Sequence, residues 1–501
     1  MLPNDPSPSL EAYLAEATRA FNTGIGLNSL THLSAQLHAS FAVRLRADIS
    51  PKSDGSVDKE AEVNGICMLP SWIHTLPEGT ESGRVLAMDV GGTLFRAGLV
   101  DLGNGPGDDD SGMEGEEVYL DGTSQVRGQM RIIKMRSWKI DNHVRSLRGH
   151  DFFDWMAARI EDVLQDPDIA ACLVDGAVLP MGMAWSFPVE QTSPREVILL
   201  DMGKGFEATA GVIGGDLTEL IMRACRKRNL PVSLDAIIND GSATLLSRAY
   251  QDPATRFSLI LGTGTNMAVV LPISALSPSK FGTRPDEWFA KAAHDERLEA
   301  AHPRPGFQPF EMLIGGRYIG EIVRLVCAEG IEEGMLFGGE VPAGWEAYGL
   351  EAKTVAVVES DTSPGLAAAI GTLSAIHPLP SGTLPSTKDI HFVQRVASLV
   401  TRRAAAYLAA GIHALWELKT AAEQVAYASS GAPRDSEALS IACNGSIIER
   451  YPGFRAQVQS YLDQLVEQST RGNGPSGGVR LEVADESAIF GAAVAAVACR
   501  E

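Results

Sequence analysis

Long apolar runs are missing from this sequence. One of the longest, Ile489 to Cys499, falls well short of the roughly 20 residues that a membrane-spanning helix needs. The opening residues, MLPNDPSPSLEAYL, show no basic stretch followed by an apolar core, so no secretory leader is read there. Basic charge is scarce. Against 63 Asp and Glu stand 42 Lys and Arg, a formal net charge of -21. A surface this acidic repels phosphate backbones and anionic lipid, which argues against binding to nucleic acid or a membrane surface, as the short apolar runs argue against membrane insertion. Cysteine is sparse too: Cys67, Cys172, Cys225, Cys327, Cys443 and Cys499 are scattered, and none forms a C-x-x-C pair. That pattern gives a zinc site little support and reads as reduced thiols in a cytoplasmic protein. What remains is an ordinary globular balance, 45% hydrophobic and 21% charged, over 501 residues. Such a length calls for at least two domains.

Residues 1–10, rich in Pro, Ser and Asp, read as disordered. A helical pattern then runs from Leu10 to about Asp48, interrupted at Gly24 and Gly26. Residues 85–102, VLAMDVGGTLFRAGLVDL, read as strand, tight turn, strand. The segment Gly103–Gly128 reads as a solvated loop inserted before the strand Arg131–Trp138. Helices are expected over Phe152–Leu164 and Asp216–Arg226, the second with Asp216 as N-cap. Longer helices are expected over about 310–329 and 389–418, and a closing helix over Ala488–Cys499. Strands are expected at Ala236–Asp240, Phe257–Leu261, Ala438–Cys443 and Val479–Val483. The alternation predicts α/β architecture.

Two turns carry candidate chemistry. In Asp89-Val90-Gly91-Gly92-Thr93 the glycines allow close approach of backbone N–H groups to a phosphate, and Thr93 adds a hydroxyl. Asp89 at the strand end is a candidate Mg²⁺ ligand, directly or through water. The plain alternative is a Gly-Gly hairpin. The second turn, Gly262-Thr263-Gly264, again follows an apolar strand, and two such turns in one chain favour a phosphate clamp. Asn239–Asp240 sits where a strand hands over to a helix, a place where α/β sheets hold ligands. There the rival reading is an Asp N-cap.

Further segments connect these turns. In order they are Leu-Pro…Pro-Glu-Gly-Thr-Glu-x-Gly (69–83), Asp-x-Gly-Gly-Thr-x-x-Arg (89–96), Ser-Phe-Pro (186–188), Lys-Gly-Phe (204–206), Asn-Asp (239–240), Gly-Thr-Gly-x-Asn (262–266), Phe-Glu…Gly-x-Tyr-x-Gly-Glu (310–321), Asn-Gly-Ser (444–446) and Gly-Ala-Ala (491–493). With these motifs the chain resembles hexokinases from about residue 68 to 500. The resemblance implies two actin-like, ribonuclease H-like α/β domains with a hinge and an interdomain sugar and ATP cleft. It assigns residues 1–81 plus 240–487 to a large domain and 82–239 plus 488–501 to a small one. It implies ATP and Mg²⁺ as cofactors and a small-molecule sugar as substrate. Asp240 then looks like the general base for the attacking sugar hydroxyl. Ser186, Phe187, Lys204, Asn239, Asn266 and Glu311 look like sugar contacts. Asp89 looks like the Mg²⁺-side carboxylate. Gly91, Gly92, Thr93 and Arg96, with Gly262, Thr263 and Gly264, look like the phosphate cradle, and Gly445 and Ser446 lie near the adenosine.

Several positions depart from the family pattern. Leu94 replaces an Asn, Gly203 a Thr, Gly241 a Thr and Asn444 an Asp, and Asp485-Glu486-Ser487-Ala488 replaces Asp-Gly-Ser-Gly. The family's strand carrying Asn-x-Glu, whose Glu holds two sugar hydroxyls, is absent between Asn266 and Phe307. Lys291-Ala292-Ala293-His294 runs straight into Asp295-Glu296-Arg297-Leu298. Either a sugar ligand has been lost or a splice boundary is misplaced there. The Leu94 and Gly203 changes are similar to fungal N-acetylglucosamine kinases and to atypical regulatory hexokinases of filamentous fungi. Two functions follow: an ATP-dependent 6-kinase for a hexose or N-acetylhexosamine, or a catalytically weak sugar-sensing regulator.

Overall fold

The computed structural model describes residues 9–46, 71, 75–103, 117–120, 123–126, 128–174, 176–187, 189–191, 193–200, 202, 206–272, 275, 295, 297–298, 308–430, 437–470 and 476–499. Of residues 1–10, expected to be disordered, 1–8 lie outside these, as do the Gly203-Lys204-Gly205 segment and the junction residue His294, whereas Ser9 caps and Leu10 opens the first helix. By contacts the chain divides into two compact units. One comprises Met1–Met68, Ile260–Leu439 and Gly445–Leu481, the other Leu69–Leu259, Ser440–Asn444 and Glu482–Glu501.

The second unit is built on five strands. The chain runs through β1 (Gly83–Val90), β2 (Leu94–Leu102), β3 (Glu117–Leu120), β4 (Thr123–Val126), β5 (Met130–Lys139), β6 (Leu179–Trp185), β7 (Val189–Gln191), β8 (Val197–Leu199) and β9 (Val232–Ile238). The main sheet has the order β5-β2-β1-β6-β9. β5, β2 and β1 pair antiparallel, while β6 lies parallel to both β1 and β9. β3 and β4 form a separate hairpin, as do β7 and β8. The reading of Gly103–Gly128 as a plain loop is therefore corrected. Val118 and Tyr119 on one arm and Thr123 and Val126 on the other are strand formers, and they outweigh the acidic composition of the whole stretch.

β1 reads apolar at every position from Val85 to Met88 because both faces are covered. Leu86, Met88 and Val90 join a core with Phe152, Phe153, Met156 and Ile160 of the helix His150–Leu164 and with Leu217 and Ile221 of the helix Leu217–Lys227. Val85 and Ala87 face the other way, into a core with Ala243, Leu246, Ile489, Ala492 and Ala493. That second layer is the helix Asp240–Gln251 and the closing helix Ser487–Ala498. The two pack so closely that a Cβ on Gly491 would lie 1.9 Å from the Ala243 carbonyl oxygen, so only glycine fits. Asp216 caps its helix as expected, its Oδ1 accepting from the Thr218 and Glu219 N–H groups at 2.8 and 3.2 Å.

A four-stranded sheet of order β11-β10-β12-β13 is made by β10 (Thr255–Leu261), β11 (Thr265–Val269), β12 (Glu437–Asn444) and β13 (Ser476–Val483). Helices make up most of the first unit. Its spine is Thr387–Ser430, a helix about 66 Å long at 1.5 Å per residue. It extends well past the expected 389–418. Helices Leu10–Asn22, Leu27–Arg46, Gly316–Glu332, Ala352–Ser360 and Phe454–Thr470 pack around it. The single helix expected over 310–329 is two, Pro309–Ile314 and Gly316–Glu332, with Gly315 extended between them at ψ 144°. Among the described residues no helix is long and apolar enough to cross a membrane.

Candidate active site

One cluster of the expected residues forms in the second unit, at the ends of β1, β6 and β9. Asp89 is the penultimate residue of β1, and Arg96 is its cross-strand partner on β2. Arg96 closes on the Asp89 carboxylate with two bonds to the same oxygen, Nε–Oδ2 at 3.0 Å and Nη2–Oδ2 at 2.7 Å. Its third nitrogen, Nη1, donates to Glu486 Oε2 at 2.5 Å. Burial pushes the Asp89 carboxyl up, Arg96 opposes that shift, and the charges of Asp240 and Glu486 add to it. The turn between the strands is closed by the Gly91 N–H donating to the Leu94 carbonyl at 3.0 Å. Arg145 donates through Nη2 to the Gly92 carbonyl at 3.0 Å, and the Ile140 N–H binds the Thr93 carbonyl at 2.9 Å. Arg145 went unnoticed in the sequence, where no motif surrounds it.

β6 delivers Ser186. Its N–H donates to the Val90 carbonyl at 3.2 Å, and its hydroxyl to Asp240 Oδ2 at 3.3 Å. Phe187 turns away into the core and packs on Trp185 and Phe206 with ring centroids 5.3 and 5.2 Å apart. The strand expected to end at Asp240 ends at Ile238, and Asp240 is the first residue of the following helix. The cap is Asn239, whose Oδ1 accepts the Gly241 N–H at 2.8 Å. Asp240 Oδ1 also takes that N–H at 2.8 Å, so one carboxylate oxygen is held by backbone and the other by Ser186. Gly241 is buried, and its carbonyl accepts the Ser258 hydroxyl at 2.6 Å.

The other cluster lies in the first unit, around the turn between β10 and β11. The Gly262 N–H donates to the Gly264 carbonyl at 3.0 Å. The break at Gly315 is what reaches this turn. The N–H groups of Gly316 and Arg317 donate to the Gly262 and Thr263 carbonyls at 2.8 and 3.1 Å, which a continuous helix would not allow. Glu311, expected at a sugar, accepts the Thr265 N–H on Oε2 at 2.8 Å. A Cβ on Gly264 would lie 2.4 Å from that same oxygen. Gly445 has φ 117° and would place a Cβ 2.5 Å from the Leu261 carbonyl oxygen, so it too is restricted to glycine. Its N–H is held by Glu449 Oε1 at 2.6 Å, and Ser446 opens the next helix. Asn266 lies on β11, half-buried.

Some departures from the family pattern now have physical reasons. The Asn444 amide donates to the Ala484 carbonyl at 3.1 Å, a bond that an ionised Asp could not make. Asp295, at the shortened junction, is buried in a bidentate pair with Arg403, Oδ2–Nη1 at 2.5 Å and Oδ1–Nη2 at 2.7 Å. Lys204 and Gly203 lie outside the described residues.

Three antiparallel strands followed by two parallel ones, with carboxylates gathered at their ends, define an actin-like α/β fold of the sugar-kinase class. A hexokinase solved with glucose from Schistosoma mansoni superposes with a TM-score of 0.73 at 23% identity, covering 98% of this chain and 100% of that one. Models of the hexokinase family match residues 28–250 and 256–498. Hexokinase-2 of Oryza sativa is 30% identical over 449 residues, 86% of this chain and 83% of that protein. Hexokinase-1 of Saccharomyces cerevisiae is 28% identical over 453 residues, 86% and 84% respectively. The chain belongs to the hexokinase family.

Proposed function

We propose that this protein transfers the γ-phosphoryl group of ATP to the 6-hydroxyl of a hexose or N-acetylhexosamine, with Asp240 as general base. The observation that carries the reading is the Ser186–Asp240 pair, in the unit that also holds Asp89 and Arg96. A carboxylate whose oxygens are fixed by a hydroxyl and a backbone N–H is aimed before the sugar arrives, and positioning is much of what phosphoryl transfer requires. Asp89 offers magnesium a hard oxygen, the donor that ion prefers, and only its Oδ2 is taken by Arg96. When bound, the ion neutralises phosphate charge. Gly262–Gly264, Gly445 and Ser446 would take the nucleotide, and Asn239, Asn266, Glu311 and Lys204 the sugar.

N-acetylglucosamine is the proposed preferred acceptor. Gly203 leaves volume where the family carries Thr, and the missing Asn-x-Glu removes an acceptor for sugar hydroxyls. Each unpaired buried group costs about 1–3 kcal/mol, which falls on plain glucose. A coupled ADP-release assay over a panel of sugars tests this. The expected result is a higher kcat/KM for N-acetylglucosamine than for glucose, with Gly203→Thr moving the ratio toward glucose. Equal or better turnover of glucose rejects it. One pair of observations favours the second reading, a sugar-sensing protein of weak activity: Glu311 is held by the Thr265 N–H, and Arg96 is shared between two carboxylates. A sugar-induced thermal shift without turnover would select that reading.

A further inference from the structure

Glu486 occupies an N-cap position but does not cap. It precedes the helix Ser487–Ala498, and its side chain makes no cap bond to that helix. Its backbone is left-handed, φ 46° and ψ 28°, which a residue with a Cβ adopts only against steric resistance. What its carboxylate does instead is reach Arg96, Oε2 to Nη1 at 2.5 Å. Arg96 is already bound by Asp89. The three side chains are unequally enclosed: Asp89 is 14% exposed, Arg96 21% and Glu486 42%. The Asp89–Arg96 pair is thus the inner member, and Glu486 is the outer one, the most open to solvent of the three.

We propose that Glu486 sets nucleotide affinity by competing with the phosphates for Arg96. The inference rests on the kinase reading above, in which Arg96 belongs to the phosphate cradle. A guanidinium beside one carboxylate forms a neutral pair. Beside two it forms a cluster of net charge -1, which repels an arriving polyphosphate. Binding then requires Arg96 Nη1 to exchange Glu486 for a phosphate oxygen. Both are charge-assisted bonds, so the cost of releasing Glu486 is subtracted from the affinity.

The test is calorimetric titration of the full chain with MgADP. Glu486→Gln keeps the size of the side chain and removes its charge. Because the pair is partly exposed, the expected gain is about two- to fivefold in affinity. Glu486→Gly, which accepts the left-handed backbone without strain, should tighten binding to a similar extent, so a folding defect in one variant does not decide the outcome. In an Arg96→Ala background Glu486→Gln should have no effect, since the residue acts through the guanidinium. Unchanged or weakened binding in both Glu486 variants, or a gain that persists without Arg96, overturns the proposal while leaving the kinase reading intact. Absence of MgADP binding in the wild type and variants alike overturns both.

Discussion

Asn239 and Asp240 are adjacent, yet they hold different places. Asn239 closes the N-terminus of a helix, and Asp240 presents a carboxylate fixed by Ser186 and by the Gly241 N–H. Substituting each separates the roles. Asp240→Ala should lower kcat by on the order of 10²- to 10⁴-fold, with MgATP binding and melting temperature nearly unchanged. Asn239→Ala should cost about 1 kcal/mol of stability through the lost cap. Steady-state kinetics beside thermal melts of both variants would decide. Near-normal turnover in Asp240→Ala would remove it as the base. At this scale the sequence was a partial guide. The pair Asn239–Asp240 stood out, but which of the two capped the helix depended on where β9 ended, and apolar patterning leaves such boundaries uncertain by a residue or two.

A turn belongs to the elements that frame it. The loop between β10 and β11 is bonded by the first N–H groups of Gly316–Glu332 and by Glu311 from the short helix before it. Gly264→Val would drive its Cβ into the Glu311 carboxylate, so the harm begins with the loss of the Glu311–Thr265 bond. MgATP affinity should fall by about tenfold or more, as one such bond and the turn's shape are lost together. Unaltered affinity would reduce this turn to a plain hairpin. The break that brings helix and turn together was invisible in a run of apolar residues at helical spacing, because it depends on a partner distant in sequence.

The long helix offers a second case. His413 is buried between the hydroxyls of Ser34 and Ser469, at 2.7 and 2.9 Å, and so links helices Leu27–Arg46, Thr387–Ser430 and Phe454–Thr470. Burial, with the charge of His38, lowers its pKa to about 4. In the unfolded chain it titrates near 6.5. Between those values only the unfolded state takes up the proton. Stability should therefore drop as pH falls from about 6.5 to about 4, by up to roughly 3 kcal/mol in total. Urea melts of the wild type and His413→Gln across that range would test it. An unchanged slope in the variant would assign the loss to other groups.

Across the molecule, family and architecture were legible because they rest on ordered motifs and on β1, whose apolar run announces a strand covered on both sides. Arg145 and the Glu486–Arg96 contact were not, because each joins segments that no local pattern connects. The same scattering reaches the second unit as a whole, which takes segments from the middle of the chain and from near its end. β1, β6 and β9 present one face to a helix that begins only at Ser487. On the ribosome those strands emerge well before it and wait, with Ala87, Ala184 and Ala236 uncovered, until the segment from Ser487 onward has been made. The nascent protein therefore passes through a long interval in which its second unit is sticky and incomplete. A stop codon anywhere between β9 and Ser487 would leave that state permanent.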